Sequence, residues 1–257
     1  MRSSWKLLAF ALGLIFVLPA GARAQDEEQP PAGKETKPFS PQDLSGIWAI
    51  RPIRGVPWYN YALAGDEVPM TPWAEEKFKE NKPSFGPHPQ EDSNDLAYAC
   101  FPAGMPRVYA AVQAAMQIVQ VQGRVLMFFG RNVRQIYTDG RPHPKDLRPL
   151  WMGHSIGQWE GDTFVIDTVA INDKNWLDRM GHPHSDALHL VERFHRVAAD
   201  TLNLDMTIDD PKAFTKTWTA QRTFRQRPPA SRMGEAICED IFINDAFGLK
   251  PTLPSMK

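Results

Sequence analysis

Leu202-Asn203-Leu204-Asp205-Met206-Thr207-Ile208-Asp209 is the stretch whose reading decides the fold. Apolar residues hold Leu202, Leu204, Met206 and Ile208, and polar residues hold the positions between them. Successive side chains of an extended strand point to opposite faces, so this alternation describes a strand with one face buried and one in water. Ala198-Ala199-Asp200-Thr201 reads as the turn before it, and Leu188 to Val197 as the strand on the other side of that turn. Farther toward the N-terminus, Ser155 to Trp159 and Thr163 to Val169 bracket Glu160-Gly161-Asp162, where glycine supplies the positive φ of a hairpin turn. Val133 to Tyr137 ends at Thr138-Asp139-Gly140, Gln117 to Val121 and Arg124 to Phe129 flank Gln122-Gly123, and Trp218 to Phe224 adds a strand on the C-terminal side. Strands joined by short turns predict a mainly β chain, an antiparallel meander closed into a barrel or folded as a sandwich. No repeat of constant period points to a solenoid or propeller.

Helical signals are confined to the N-terminal part. Thr71-Pro72-Trp73 ahead of Ala74 to Lys79 predicts a short helix with Thr71 as its cap and Pro72 in its first turn. A second helix is expected from Arg107 to about Ala115, after Pro102-Ala103-Gly104-Met105-Pro106, while Lys82 to Asp95 lacks apolar periodicity and reads as a loop. At the start of the chain, Arg2 and Lys6 precede the apolar run Leu7 to Leu18, and Ala22-Arg23-Ala24 supplies a small-x-small cleavage signal. This predicts a signal peptide over residues 1–24, cut after Ala24, and a periplasmic or secreted protein. Residues 25–42 are polar and proline-bearing and read as a flexible linker, which leaves 43–257 as a single domain.

The 257 residues carry 29 Lys+Arg against 30 Asp+Glu, and loss of Arg2, Lys6 and Arg23 moves the net charge from −1 to −4. Such a balance lacks the basic excess that a nucleic-acid partner requires. No later stretch is apolar enough to span a membrane. In an oxidising compartment Cys100 and Cys238 are expected to form a disulfide, and the Cys-x-x-Cys spacing of metal and redox sites is absent.

Gly153-His154-Ser155-Ile156-Gly157-Gln158-Trp159-Glu160-Gly161-Asp162-Thr163 resembles a signature of a poorly characterised family of secreted bacterial proteins. The likeness continues through Gly181-His182-Pro183-His184-Ser185-Asp186-Ala187-Leu188, Glu192-Arg193-Phe194 and Thr207-Ile208-Asp209-Asp210-Pro211. It implies a lipocalin-like barrel with short N-terminal helices and carries no established reaction. Gly46-Ile47-Trp48 is similar to the Gly-x-Trp that opens lipocalin barrels, in which the Trp plugs one end.

Several residues attract attention as site candidates. Glu192 shares a strand face with Leu190 and Phe194, which sends a carboxylate inward. That costs several kcal/mol, on the order of the penalty for any buried ion, unless an arginine such as Arg131, Arg134 or Arg141 pairs with it. His182 and His184 would share a face if they lay in a strand, as metal-holding histidines of cupin-type barrels do, but no carboxylate follows at the expected spacing and no metal is assigned. Asp139, Arg141, His143, Trp151 and His154 lie on or beside a proline-rich loop that is expected at the barrel mouth as a ligand-contacting set. Ser155 matches Gly-x-Ser-x-Gly only formally, because no strand-turn-helix or parallel sheet is indicated. No phosphate loop or dinucleotide fingerprint is present, so no cofactor is expected.

A barrel of this size encloses one small molecule, and the first expectation is a binding protein for a partly apolar or aromatic ligand. The alternative is a cofactor-independent lyase, isomerase or hydratase in the same cavity, with Glu192 as acid/base, His184 as its partner and Arg141 holding an anionic group. A scaffold protein with a filled interior is the third class. The oligomeric state is not legible in the residues.

Overall fold

The computed structural model describes residues 38–51, 61–63, 68–84, 89–110 and 115–234. The leader, most of the linker and Cys238 lie outside the described residues. Among those described, nine strands close into one barrel in sequence order: β1 Gly46–Ile50, β2 Ala115–Val121, β3 Arg124–Phe129, β4 Asn132–Tyr137, β5 His154–Glu160, β6 Thr163–Val169, β7 His189–Ala198, β8 Thr201–Asp209 and β9 Trp218–Gln226. The alternation seen in β8 holds: Leu202, Leu204, Met206 and Ile208 are all buried in the core. Opposite them on β7, Leu190 pairs with Ile208, Glu192 with Met206 and Phe194 with Leu204, so all three β7 residues point inward.

One joint departs from the meander. β4 and β5 pair in parallel, Ile136 with Ser155 and Tyr137 with Ile156. A parallel pair needs a connection that returns to the starting end of the barrel. Residues 138–153 therefore run from the end where β4 stops to the end where β5 begins. They do so outside the barrel, since His143 docks on residues of the outward face of β5 and β6.

The two barrel ends differ in kind. The β2–β3, β5–β6 and β7–β8 turns gather at one end. Gly161 sits in one of them at φ +62°, the left-handed conformation that favours glycine. Near this end Trp48 is fully buried, donates its indole N–H to Leu44 O at 2.8 Å, and lies 5.3 Å beneath the Arg196 guanidinium. Arg196 in turn donates to Asp43 O and Ala199 O, fastening the segment before β1 to the β7–β8 turn. Trp48 and Arg196 thus cover this end of the barrel. The described parts of the 51–114 connection, with 170–188 and 210–217, collect at the other end.

The helix α1, Pro72–Glu80, belongs to that long-loop end, and Thr71 Oγ1 accepts from Ala74 N as its cap. The second expected helix is a correction. Among its described residues a 3-10 turn forms at Arg107–Tyr109, 111–114 lie outside the described residues, and at Ala115 the chain is already in β2. Ala115 and Met116 are claimed by the ladder to β1, so tertiary pairing overrides the local helical preference. Inside the barrel, β5 runs over bulky neighbours at Gly157. A methyl group there would stand 2.6 Å from the Phe164 ring and 2.7 Å from Ile136.

Candidate functional site

A polar assembly lies in the barrel interior. On strict alternation Arg134 of β4, Ser155 of β5, Thr168 of β6 and Glu192 of β7 point inward, and all four are buried. Arg134 meets Glu192 through both ends of its fork: Nη1 donates to Oε1 at 2.8 Å and Nη2 donates to Oε2. The remaining donors are used as well, Nε on Ser155 Oγ at 3.1 Å and Nη2 on Thr168 Oγ1 at 2.7 Å. A two-pronged guanidinium–carboxylate pair is the strongest common form of charge-assisted hydrogen bond. Of the three arginines that could have served, Arg131 instead donates to Phe101 O and Arg141 to Asp139.

The third partner comes from outside the barrel wall. Tyr109, in the 3-10 turn of the 51–114 connection, reaches inward, and its hydroxyl donates to Glu192 Oε1 at 2.8 Å and accepts from Arg134 Nη1 at 3.1 Å. Phe129, Phe224 and Phe194 surround its ring edge-on, with centroids 5.5, 6.1 and 6.3 Å away. Edge-to-face packing at such distances adds about 0.5–1.5 kcal/mol per pair to simple burial. Burial first, and the Glu192 charge second, push the phenol well above its ordinary pKa, which keeps it a proton donor. Burial alone would disfavour the Arg134 cation, but Glu192 and Tyr109 outweigh it and hold the guanidinium above its usual range.

The segment carrying Tyr109 is tied down on several sides. Arg222 of β9 donates from Nε to Tyr109 O at 3.1 Å and from Nη2 to Ala62 O. The buried Arg107 pairs with Asp95 and lies 5.4 Å over the Trp176 ring, while Asn175 donates to Ala103 O. Glu192 and Tyr109 are 0% exposed and Arg134 is 1% exposed. Tyr109 occupies the place beside Glu192, where the sequence alone suggested room for a guest.

Glu192 and His184 do not form an acid/base pair. His184 is buried with Nε2 on Asn175 Oδ1 and Nδ1 on Ser185 O, both at 3.1 Å, and shares no hydrogen bond with Glu192. His182 and His184 do not lie in a strand either, because Pro183 between them has no N–H to give to a ladder. His182 instead pairs with the buried Asp178 at 2.8 Å and stacks on Phe78. Ser185 is clasped by Asp210, through Ser185 N at 2.6 Å and Oγ at 2.7 Å. The two histidine-rich and aspartate-rich motifs thus lock the 170–188 and 210–217 connections together.

The ligand-contacting set is divided. Asp139, Arg141, His143 and His154 come together, but on the outer wall of the barrel rather than at its mouth, because the 138–153 connection must travel outside. Arg141 donates to Asp139 at 2.8 Å and lies 4.2 Å over the Tyr137 ring, whose neighbour in a stack is His154. His143 Nδ1 meets His154 Nδ1 at 2.7 Å, and His143 Nε2 meets Asp167 Oδ1 at 3.0 Å. His189, outward on β7, reaches Asp167 Oδ2 at 3.0 Å. Burial, then His143 and Arg141, lower the pKa of His154. Trp151 stands apart, against Phe101 and with its carbonyl accepting from Met105 N. Among the described residues no group of three or more His, Cys, Asp or Glu is arranged to hold a metal ion. No helix among them is long and apolar enough to cross a membrane.

Sequence reasoning missed Tyr109, Ser155 and Thr168. The last two were available, since Ser155 and Thr168 occupy inward positions of strands already recognised. Tyr109 had no such signal, because nothing in a non-periodic segment says which side chain enters a barrel. Comparison with family models, with curated proteins and with solved structures returns no match.

Proposed function

We propose that the protein is an exported barrel that binds a small phenol-bearing or similar aromatic molecule at its long-loop end. The observation that carries this reading is the source of the ring beside Glu192. The strands supply an aromatic cage of Phe129, Phe194 and Phe224 with a carboxylate–guanidinium pair at its base, yet they do not fill it. A tyrosine from a connecting segment does, with its hydroxyl on both charged groups. A guest phenol would find the same apolar walls and the same two polar partners, a pattern typical of small-molecule sites. Because the chain's own ring holds the place, the apparent affinity for a guest is reduced by the fraction of molecules in which Tyr109 has withdrawn. The secreted-family likeness, cleavage after Ala24 and a Cys100–Cys238 bridge are part of the same proposal. A thiol titration of exported protein finding two free cysteines would remove the bridge.

The test is titration of the intact mature protein with p-cresol and 4-propylphenol, read by native mass spectrometry and by amide exchange over residues 95–110. Saturable one-to-one binding with faster exchange at 107–110 is expected. Absence of binding at millimolar phenol, with exchange unchanged, would leave Tyr109 as a permanent filler and the reading refuted.

A further inference from the structure

We propose that the outer wall of the barrel carries a second, separate site, in which His154 is a nucleophile and proton acceptor toward small esters, with His143 and Asp167 as its relay. The hydrogen-bond chain determines where each proton sits. Asp167 is a carboxylate, so at Oδ1 it must receive an N–H, and His143 therefore carries its proton on Nε2. His143 Nδ1 is then a bare acceptor, and its partner at 2.7 Å, His154 Nδ1, must be the donor. That leaves the lone pair of His154 on Nε2, which has no hydrogen-bond partner among the described residues. His154 as a whole is half-buried rather than enclosed.

The surroundings favour a neutral His154 ready to react. Burial, then His143 and Arg141, favour the neutral ring. The other titratable groups around it are Tyr137 from β4, which stacks on the ring, Asp139 beside Arg141, and Asp167 of β6 and His189 of β7 on the far side of His143. His189 uses its Nε2 on Asp167 Oδ2 at 3.0 Å, which holds that carboxylate in place from the side opposite His143. A base oriented by a second group that is itself oriented by a carboxylate is the recurring layout of activated nucleophiles.

The chemistry balances within the chain and water. His154 Nε2 attacks the acyl carbon, an N–C bond forms, the ester C–O bond breaks, and the alcohol leaves as its anion. The positive charge generated on His154 is relieved when its Nδ1 proton passes to His143 Nδ1, producing an imidazolium that keeps its Nε2–H on Asp167. Water then adds to the acyl-imidazole: its oxygen and one proton leave with the acyl group as the acid while the N–C bond breaks, its other proton neutralises the alcohol anion, and the relay proton returns from His143 to His154 Nδ1, so that ester plus water becomes acid plus alcohol. His154 is the catalytic residue in this scheme, and His143 and Asp167 are positioning residues.

The test uses p-nitrophenyl acetate and the full mature chain. At pH 7.5 the protein is expected to release p-nitrophenol at least 10-fold faster than the same concentration of free imidazole. His154→Gln should lose 10-fold or more of that rate. Asp167→Asn should lose several-fold and shift the midpoint of the pH–rate profile, which a merely structural carboxylate would not move. Diethyl pyrocarbonate labelling, mapped by mass spectrometry on the wild type, guards against a misfolded variant: His154 should react first among the histidines. A rate no greater than that of imidazole, an unaffected His154→Gln, or labelling of His154 no faster than exposed His195 would each overturn the proposal.

Discussion

Replacing Arg134 by methionine isolates the electrostatics of the barrel centre. Methionine keeps most of the volume and removes every donor. Glu192 then retains only Tyr109 Oη at 2.8 Å and the distant Thr168 Oγ1 at 3.5 Å, with no cation. Breaking a buried ion pair from one side costs about 3–5 kcal/mol, because a charge is left in a medium that cannot solvate it. For a domain of this size each kcal/mol moves the midpoint by roughly 2–4 °C, so Tm should fall by about 6–20 °C. The orphaned carboxylate escapes part of the penalty by taking up a proton, which raises its folded pKa in the variant above the unfolded value of about 4.3. The folded variant then binds the extra proton, so its deficit against wild type should widen as pH rises from about 4.5. Substituting both partners, Arg134→Met with Glu192→Leu, removes the stranded charge and should recover most of the loss. Urea unfolding at pH 5 and pH 8 measures all of this. A single variant within about 1 kcal/mol of wild type, or a deficit identical at both pH values, would refute the reasoning.

Other perturbations test separate links. Tyr109→Phe keeps the ring in its cage but removes the hydroxyl donor to Glu192, and should lower unfolding free energy by about 1.5–3 kcal/mol, as for hydrogen bonds to charged groups. Gly157→Ala places a methyl group against Phe164 and Ile136 and should cost about 1–3 kcal/mol by overpacking, read as a lower urea midpoint. Ring NMR should show His182 titrating above its ordinary value, since burial is opposed and outweighed by Asp178, and His184 below it, since burial dominates. The signs for stability follow: the His182–Asp178 contribution is complete below about pH 6.5 and is lost as pH rises through the folded value, while that of neutral His184 is present above about pH 6.5 and is lost as pH falls. Asp178→Asn should abolish the upward shift of His182.

The barrel was legible because alternation in β8 and β7 and the turn glycines are short-range signals. Leu202 to Ile208 already specify which face is buried, and Gly161 already specifies a tight turn. The inward Glu192 was legible for the same reason. The parallel β4–β5 joint was not, because Thr138-Asp139-Gly140 announces a turn without saying on which side of the sheet the chain continues. That one ambiguity moved Asp139, Arg141, His143 and His154 from an expected mouth to the outer wall. The His182–His184 pair misled for a related reason: a two-residue spacing implies a shared face only in a strand, and Pro183 prevents one. Tyr109 depends on a contact 83 residues distant in the chain, which no local pattern encodes.

The central claim is that the cage of Phe129, Phe194 and Phe224 over Glu192 and Arg134 is shaped for a phenol. Calorimetric titration of p-cresol into Tyr109→Ala, which empties that cage, tests it most directly. One-to-one binding is predicted, weakened at least 10-fold when Glu192→Gln is added. A folded Tyr109→Ala that takes up no p-cresol, or binds it equally well with Glu192→Gln present, would contradict it.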